Sequence, residues 1–440
     1  MDTACNVIDS ALPDIVAFPV RDLVRFYDEL HNYWSQADSD LYPTCITFPV
    51  NANQTSFIVK VLNNYTDVKF AMKSGGHNTN QGWSSVSGGI LIAFSSNAAT
   101  NLSSDGLTAD IGPGARWEDV MSALDPYNKA VVGGRIGDVG VGGYILGGGL
   151  SFLSAEYGMA CDTVVNFEVV LADATIVNAN ATSHSDLYFA LKGGGNQFGM
   201  VTKITMKAIH MDYIWGGVRT YLGSDTVAST FINATHSFVT NYTDKKASVI
   251  VTTERTDLIN LWVVFYFYNG PEPPNGTFAE FETMTPLTDS VKTQRFVDLL
   301  VSNNDFNLEG LRYLIRGTTL PNLPRDQGKA LYTYQYTSWA DQAVSETLLN
   351  ADFIYNSYGR RTYAGVAPTH YGGVTADSED VEGDSGLTYQ DWNPIFMNDA
   401  MYDQTPLQTY PLDEYEKLVS AKTKYDPNGF FTNRTGGFKF

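Results

Sequence analysis

A chain of 440 residues is too long for one compact core, so two domains are expected. Hydrophobic residues at 43% and charged residues at 17% exclude a disordered chain and fit a soluble, well-packed protein. The formal charge of -20 excludes nucleic acid and anionic membrane surfaces as partners, and no apolar run reaches the length of a membrane span.

Taken in chain order, Met1 to Ser10 has no basic stretch ahead of an apolar one, so no leader is visible. Eight Asn-x-Ser/Thr sequons, at Asn53, Asn64, Asn101, Asn180, Asn233, Asn241, Asn275 and Asn433, point to a secreted glycoprotein whose leader was trimmed before Asp2. Cys5 and Cys45 are a candidate disulfide, leaving Cys161 as a buried thiol; three reduced, buried thiols are the alternative. Ile46-Thr47-Phe48-Pro49 reads as a strand entering a turn. Residues 53–63 carry Phe57, Ile58, Val61 and Leu62 at helical spacing, and Phe70-Ala71-Met72 is a strand running into Ser74-Gly75-Gly76-His77. Strand, helix, strand and a Gly-rich turn is the grammar of a nucleotide-binding unit. Ile90 to Phe94 and Val164 to Ala172 are further buried strands.

From about Asp212 aromatic segments dominate. Leu261 to Tyr268 reads as a strand, and so does Leu331 to Tyr336, whose alternation sets Tyr332, Tyr334 and Tyr336 on one face. With a helix expected at Ser290 to Leu300, this region suggests an antiparallel sheet covered by helices. Trp392 to Asp403 and Leu412 to Tyr425 read as a return to the first domain.

Three segments carry chemistry. From Gly133 to Gly149, nine of seventeen positions are glycine, which predicts neither a stable helix nor an ordinary strand. Such a run is justified where backbone N–H groups approach a ligand closely, as at a pyrophosphate. It lacks the helix and acidic follow-up of a dinucleotide GxGxxG turn, and its Val, Ile, Leu and Tyr residues are not those of a linker. The other two segments are Lys73-Ser74-Gly75-Gly76-His77-Asn78 and Lys192-Gly193-Gly194-Gly195-Asn196-Gln197-Phe198-Gly199. Each alone is weak, but three Gly-rich turns, each read as following a strand, make a cofactor cradle the economical explanation.

The order of these segments, with Gly112-Pro113-Gly114-Ala115-Arg116-Trp117, Tyr157-Gly158-Met159-Ala160-Cys161-Asp162, Asp186 to Leu191 and Lys424-Tyr425-Asp426-Pro427-Asn428-Gly429-Phe430-Phe431, resembles the FAD-linked oxidases of the vanillyl-alcohol oxidase superfamily. The likeness is to the berberine-bridge-enzyme-like branch found in fungi, and it covers nearly the whole chain. It implies an α+β fold: a two-lobed PCMH-type FAD-binding domain over residues 1–211 (core about 41–211), a substrate domain over 212–390, and a segment 391–440 returning to the first. It implies FAD covalently bound through the ring of His77. Many relatives have a cysteine for a second link where this chain has Ile136, so one link is expected. Val139 matches a small gatekeeper position at which valine goes with access of O2. Around the cofactor the resemblance places Lys73, Ser74, Gly75, Gly76, Asn78, Gly133, Gly134, Asp138, Gly142, Gly143, Tyr144, Gly148, Asp162, Gly195, Asn196, Val201 and Asn398.

Hydride transfer to a flavin needs a partner that takes the proton from a substrate O–H or N–H. Candidates are Asp138, Tyr144, Asp399 and Tyr402, with Tyr334 or Tyr336 from the second domain. Against these stand turn capping for Asp138 and sheet packing for the tyrosines, and His370 reads as a loop residue. The leading expectation is an oxidase acting on a small alcohol, amine or phenol of secondary metabolism with O2 as acceptor. An FAD-containing cyclase or isomerase and a silent binding protein are the alternatives. A monomer without a metal centre is expected.

Overall fold

The protein is described by a computed structural model covering residues 2–255, 260–313, 315, 317, 325–347, 355–359 and 395–440. His370 and Trp392 lie outside the described residues.

The first lobe is built on a four-stranded sheet in the order Val16–Ala17, Cys45–Thr47, Ile90–Ala93, Phe70–Lys73. The last three strands are parallel, as a crossover helix requires. That helix is Ala52–Asn64, started by Asn51, whose side chain accepts a hydrogen bond from the Gln54 N–H at 3.0 Å. It buries Ile58, Val59, Val61 and Leu62, and the chain then runs through Phe70–Lys73 into the first glycine turn. A Cys5–Cys45 disulfide ties the helix Asp2–Ala11 to the sheet, and Cys161 is a buried free thiol.

The second lobe is a five-stranded antiparallel sheet in the order Thr100–Leu102, Thr108–Ile111, Met200–Lys207, Val164–Val170, Ile176–Asn180. A third, antiparallel sheet includes Ile214–Leu222, Asn260–Tyr268, Ala247–Arg255 and Tyr355–Gly359. Its two faces differ. Trp262, Val264 and Tyr266 face the helices Asp225–Asn241 and Arg325–Thr347, whereas Val263, Phe265, Phe267 and Ile250 join the core of the second lobe. Phe267 stacks on Phe152 there, with centroids 5.1 Å apart. The fold is thus α+β, with the mixed layers that the sequence implied.

Four local expectations need correction. Leu331 to Tyr336 is not a strand but part of the helix Arg325–Thr347. Its buried residues Leu331, Tyr332, Gln335, Tyr336, Trp339 and Ala340 recur at helical spacing, and that period prevails over the Tyr alternation. Ser290 to Leu300 is split into a strand, Lys292–Gln294, pairing with Ile214–Gly216, and a helix, Phe296–Asn303. The glycine run is not free of helix, because Val141–Leu146 forms a short one behind Gly140. The third glycine turn follows the helix Ser185–Ala190 rather than a strand.

The segment 395–440 is fastened to both lobes. Along its helix Leu412–Tyr425, Lys424 Nζ and Tyr425 OH reach Asp186 at 2.6 and 2.7 Å. The Arg434 guanidinium donates to the carbonyls of Leu62, Tyr65 and Val68, closing the end of the crossover helix. Among the described residues no helix is long and apolar enough to cross a membrane.

Candidate functional site

Where the three glycine turns meet the segment 395–440, the structure has a cavity of ≈ 350 Å³. The first turn hangs from Lys73, whose ammonium is buried and paired with Glu29 Oε1 at 2.6 Å. Burial pulls the Lys73 pKa below its usual value, an effect the Glu29 charge partly offsets. Ser74 locks this turn to the glycine run: its hydroxyl donates to Pro113 O at 2.6 Å and accepts from Gly142 N–H at 3.0 Å. Gly75 and Gly140 press backbone against backbone, so that a Cβ on Gly140 would lie 2.1 Å from Gly75 N. Only glycine permits that approach.

Of the residues expected at the cofactor, Lys73 to Asn78, Gly134, Val139, Gly142, Gly143, Tyr144, Gly195, Asn196, Val201 and Asn398 line the cavity, and Asp399 lines it as well. Five expected residues do not form the wall. Gly133 packs under the Trp117 ring, where a Cβ would approach to 2.3 Å. Gly148 lies behind the wall at φ +106°, its carbonyl accepting from Cys161 N–H at 3.0 Å. Asp162 caps its own turn, accepting from Met159 N–H at 2.9 Å, and burial raises its pKa. Asp138 lies behind the wall, reaching the site through the cavity-lining His77 at 3.3 Å and Asn307 at 3.2 and 3.1 Å. Tyr402 contributes its backbone N–H to Asn80 Oδ1 at 2.8 Å, while the residue is 65% exposed, which removes it as a proton acceptor in the cavity.

Three further tyrosine candidates are also spoken for. Tyr144 lines the cavity with its ring, but its hydroxyl lies 2.5 Å from Leu150 O and 3.2 Å from Gly133 O and braces the glycine run. Tyr336 is buried against Trp262, 5.2 Å between centroids, on the helix-covered side of the third sheet, and Tyr334 lies along the same core. Asn398 bridges the run from the other side, accepting from Gly149 N–H at 3.2 Å and donating to the carbonyls of Gly143 and Tyr144 at 3.3 Å.

His77 is held from two sides. Its Nε2 lies 3.3 Å from Asp138 Oδ2, and its ring stacks on Trp34 at 5.2 Å with planes 10° apart. Trp34 in turn stacks on Tyr313 at 3.9 Å. Burial raises the Asp138 pKa, but the hydrogen bond and charge of His77, with the charge of Arg116, outweigh it and leave the carboxyl below its usual value. Sequence reasoning missed Trp34, Tyr313, Asn307 and the structural part played by Arg116. Only Arg116 lay in a recognised motif; the others come from loops far apart in sequence with no spacing to betray them.

The lining fits FAD. Gly143 faces open space, and the wall offers backbone amides, Ser74, Asn78, Asn196 and Asn398. Such neutral donors suit a pyrophosphate on an acidic protein. Both polar atoms of the Gln197 amide are buried without a protein partner, between the cavity-lining Asn196 and Gly199.

Residues 43–180 match the FAD binding domain family and residues 399–436 the berberine and berberine-like family. An FAD-linked oxidoreductase of Arthroderma benhamiae is 35% identical over 93% of this chain and 90% of its own length. An FAD-dependent monooxygenase of Aspergillus calidoustus is 30% identical over 98% and 88%, respectively. The solved glucooligosaccharide oxidase from Acremonium strictum shares the fold, with a TM-score of 0.77 at 18% identity over 99% of each chain. The chain therefore belongs to the FAD-linked oxidoreductases of the vanillyl-alcohol oxidase superfamily, in their berberine-bridge-enzyme-like branch.

Proposed function

We propose that the protein is an oxidase that carries FAD on His77 through a single covalent bond and dehydrogenates a small alcohol, amine or phenol. The observation that carries this reading is the His77 ring, clamped by Trp34 and Asp138 in the cavity wall, with Ile136 in the same wall where a second link would need a thiol. The solved A. strictum enzyme carries 6-S-cysteinyl, 8α-N1-histidyl FAD. Bound FAD supplies a two-electron acceptor for a substrate C–H hydride and passes the electrons to O2. This chain's residues orient and exclude: Ser74, Asn398 and the paired glycines fix the cradle, and Val139 keeps its neighbourhood small enough for O2. Ile136, Ile315 and Phe396 give the cavity an apolar wall, while Asn307 and Asp399 add polar groups that suit one O–H or N–H of a small substrate.

The relatives named monooxygenases favour a second reading, in which one atom of O2 enters the product. The two part in one experiment. The purified protein is bleached anaerobically with a panel of alcohols, amines and phenols, and air is then admitted. An oxidase releases one H2O2 per substrate oxidised, and labelled dioxygen stays out of the product. Label in the product selects the monooxygenase. Turnover with neither H2O2 nor a change in substrate oxidation state selects a cyclase or isomerase.

We also propose passage through the secretory pathway. Asn53, Asn64, Asn101, Asn233, Asn241, Asn275 and Asn433 are exposed, and the Cys5–Cys45 disulfide suits an oxidising compartment. Asn180 is only half-buried, but its Oδ1 accepts from the Thr182 and Ser183 N–H groups at 3.0 and 2.9 Å, so it is expected to stay bare. Glycopeptide mapping of protein from its native source checks this; bare asparagine at all seven exposed sites would sink it.

A further inference from the structure

The grip on His77 is more elaborate than a tether alone requires. The Asp138 carboxylate that meets Nε2 at 3.3 Å is itself fixed by Asn307 Nδ2, 3.2 and 3.1 Å from its two oxygens. Its backbone is fixed too: Asn304 Oδ1 accepts from Asp138 N–H at 3.1 Å, and Arg116 donates to Asp138 O. Arg116 also spans to Asn32 Oδ1 at 2.7 Å and Gly75 O at 3.3 Å, tying the Asp138 loop to the turn that carries His77. Trp34 sets the plane of the imidazole. None of these contacts uses Nδ1.

The charges sort themselves within this cluster. Burial, and after it the neighbouring Asp138 carboxylate, raise the Glu309 pKa. Asp138 is held below its usual value, chiefly by His77 and then Arg116 against the cost of burial. Both Asp138 oxygens accept from Asn307 Nδ2, so Asp138 meets His77 as an ionised acceptor. An ionised carboxylate only accepts, so the hydrogen in the contact belongs to His77 Nε2. In the neutral ring this leaves the lone pair on Nδ1.

We propose that Asp138 is the positioning residue for flavin attachment: by accepting from Nε2–H it holds His77 in the tautomer whose Nδ1 is nucleophilic, and it neutralises the ring as the bond forms. The proposal rests on the reading that His77 carries the flavin. In the balanced step, Nδ1 forms a bond to the 8α-carbon of FAD, and that carbon gives up one hydrogen as a proton. The C–H electron pair reduces the flavin ring, and dioxygen takes the two electrons with two protons to become H2O2. Alkylation at Nδ1 with Nε2–H retained makes the imidazole cationic, directly opposite the Asp138 carboxylate. Arg116 stays on the carbonyl side of Asp138, so the carboxylate is left to face His77 and Asn307.

The test uses the full chain expressed under riboflavin limitation and then loaded with FAD, following covalent incorporation as acid-precipitable flavin with time. Asp138→Asn is expected to slow incorporation roughly 10–100-fold, the range carried by partners behind a histidine ligand, while the affinity for FAD before attachment changes less than about twofold. Asp138→Glu should recover part of the rate, which a merely structural role would not predict. If Asp138→Asn does not fold, Asn307→Ala decides. Removing the bonds that aim the carboxylate should slow incorporation about threefold or more, and an unchanged rate overturns the proposal. The wild-type flavopeptide gives a check that needs no variant: attachment through Nδ1 is expected, and attachment through Nε2 overturns the proposal because that nitrogen could not donate to Asp138. Wild-type incorporation in Asp138→Asn, with none in His77→Ala, defeats this inference and leaves the tether standing. Covalent flavin in His77→Ala defeats both.

Discussion

On the proposed attachment at His77, His77→Ala should yield protein whose flavin leaves entirely on acid precipitation, whereas the wild type should give a yellow pellet. The intact mass should fall by one FAD beyond the side-chain change. The glycine turns owe nothing to the imidazole: Ser74 holds Pro113 and Gly142, and Asn398 holds the run from Gly143 to Gly149. FAD should therefore still bind, reversibly, and the variant should be pale but folded. What it loses locally is the ring stacked on Trp34 and the partner of Asp138, which keeps Asn307. A precipitate as yellow as the wild type would place the bond on another residue.

Glu29→Leu should lower stability by about 3–5 kcal/mol, the cost of leaving a buried charge without its partner. Lys73 and Glu29 have side chains 1% and 7% exposed, so solvent screening offers little relief. Glu29 Oε2 also accepts from Ser95 Oγ at 2.7 Å, and the Lys73 ammonium lies 4.1 Å from the centre of the Tyr33 ring. The Glu29→Leu/Lys73→Met double variant should regain most of the loss, because apolar replacements remove both desolvation costs together. The pH dependence has a definite sign. Burial already holds Lys73 below its usual 10.5, and loss of Glu29 depresses it further, so the unfolded chain binds the extra proton. The deficit of the single variant should then shrink as pH rises toward 10.5. Denaturation midpoints at matched protein and FAD concentrations read all three outcomes. A single variant within about 0.5 kcal/mol of wild type would show that the pair is not what holds the strand before the glycine turn.

Both expectations concern residues whose neighbourhood the sequence revealed unequally. Ser74 to His77 was legible because a turn of two glycines after a strand has few other uses, and the run from Gly133 to Gly149 because its glycine density defeats ordinary elements. The partner of Lys73 was not legible, since Glu29 sits on a helix 44 residues away with nothing in its surroundings to mark it. Tyr402 illustrates the opposite error: it lies close in sequence to cavity residues, but the turn at Met397–Asp399 sends its side chain to the surface. Leu331 to Tyr336 failed because six residues of alternating tyrosine satisfy a strand period, while the helical period shows only when Trp339 and Ala340 are included. Local grammar finds backbone sites; side-chain constellations drawn from several loops leave no such trace.

The grip of Arg434 on Leu62, Tyr65 and Val68, across 366 residues in the case of Val68, sets an order on biosynthesis. Phe430 and Phe431 pack on Phe70, Lys69 Nζ reaches Asn433 O, and Phe438 closes part of the cavity wall. A ribosome making this protein releases the His77 turn early but withholds these residues until nearly all of the rest has emerged. The nascent first lobe must wait with its crossover helix uncapped and one face of Phe70 bare, in need of shelter from aggregation. The first lobe is then expected to close only after translation, and a fusion or proteolytic nick near residue 430 is expected to loosen the Phe70 strand that leads into the His77 turn.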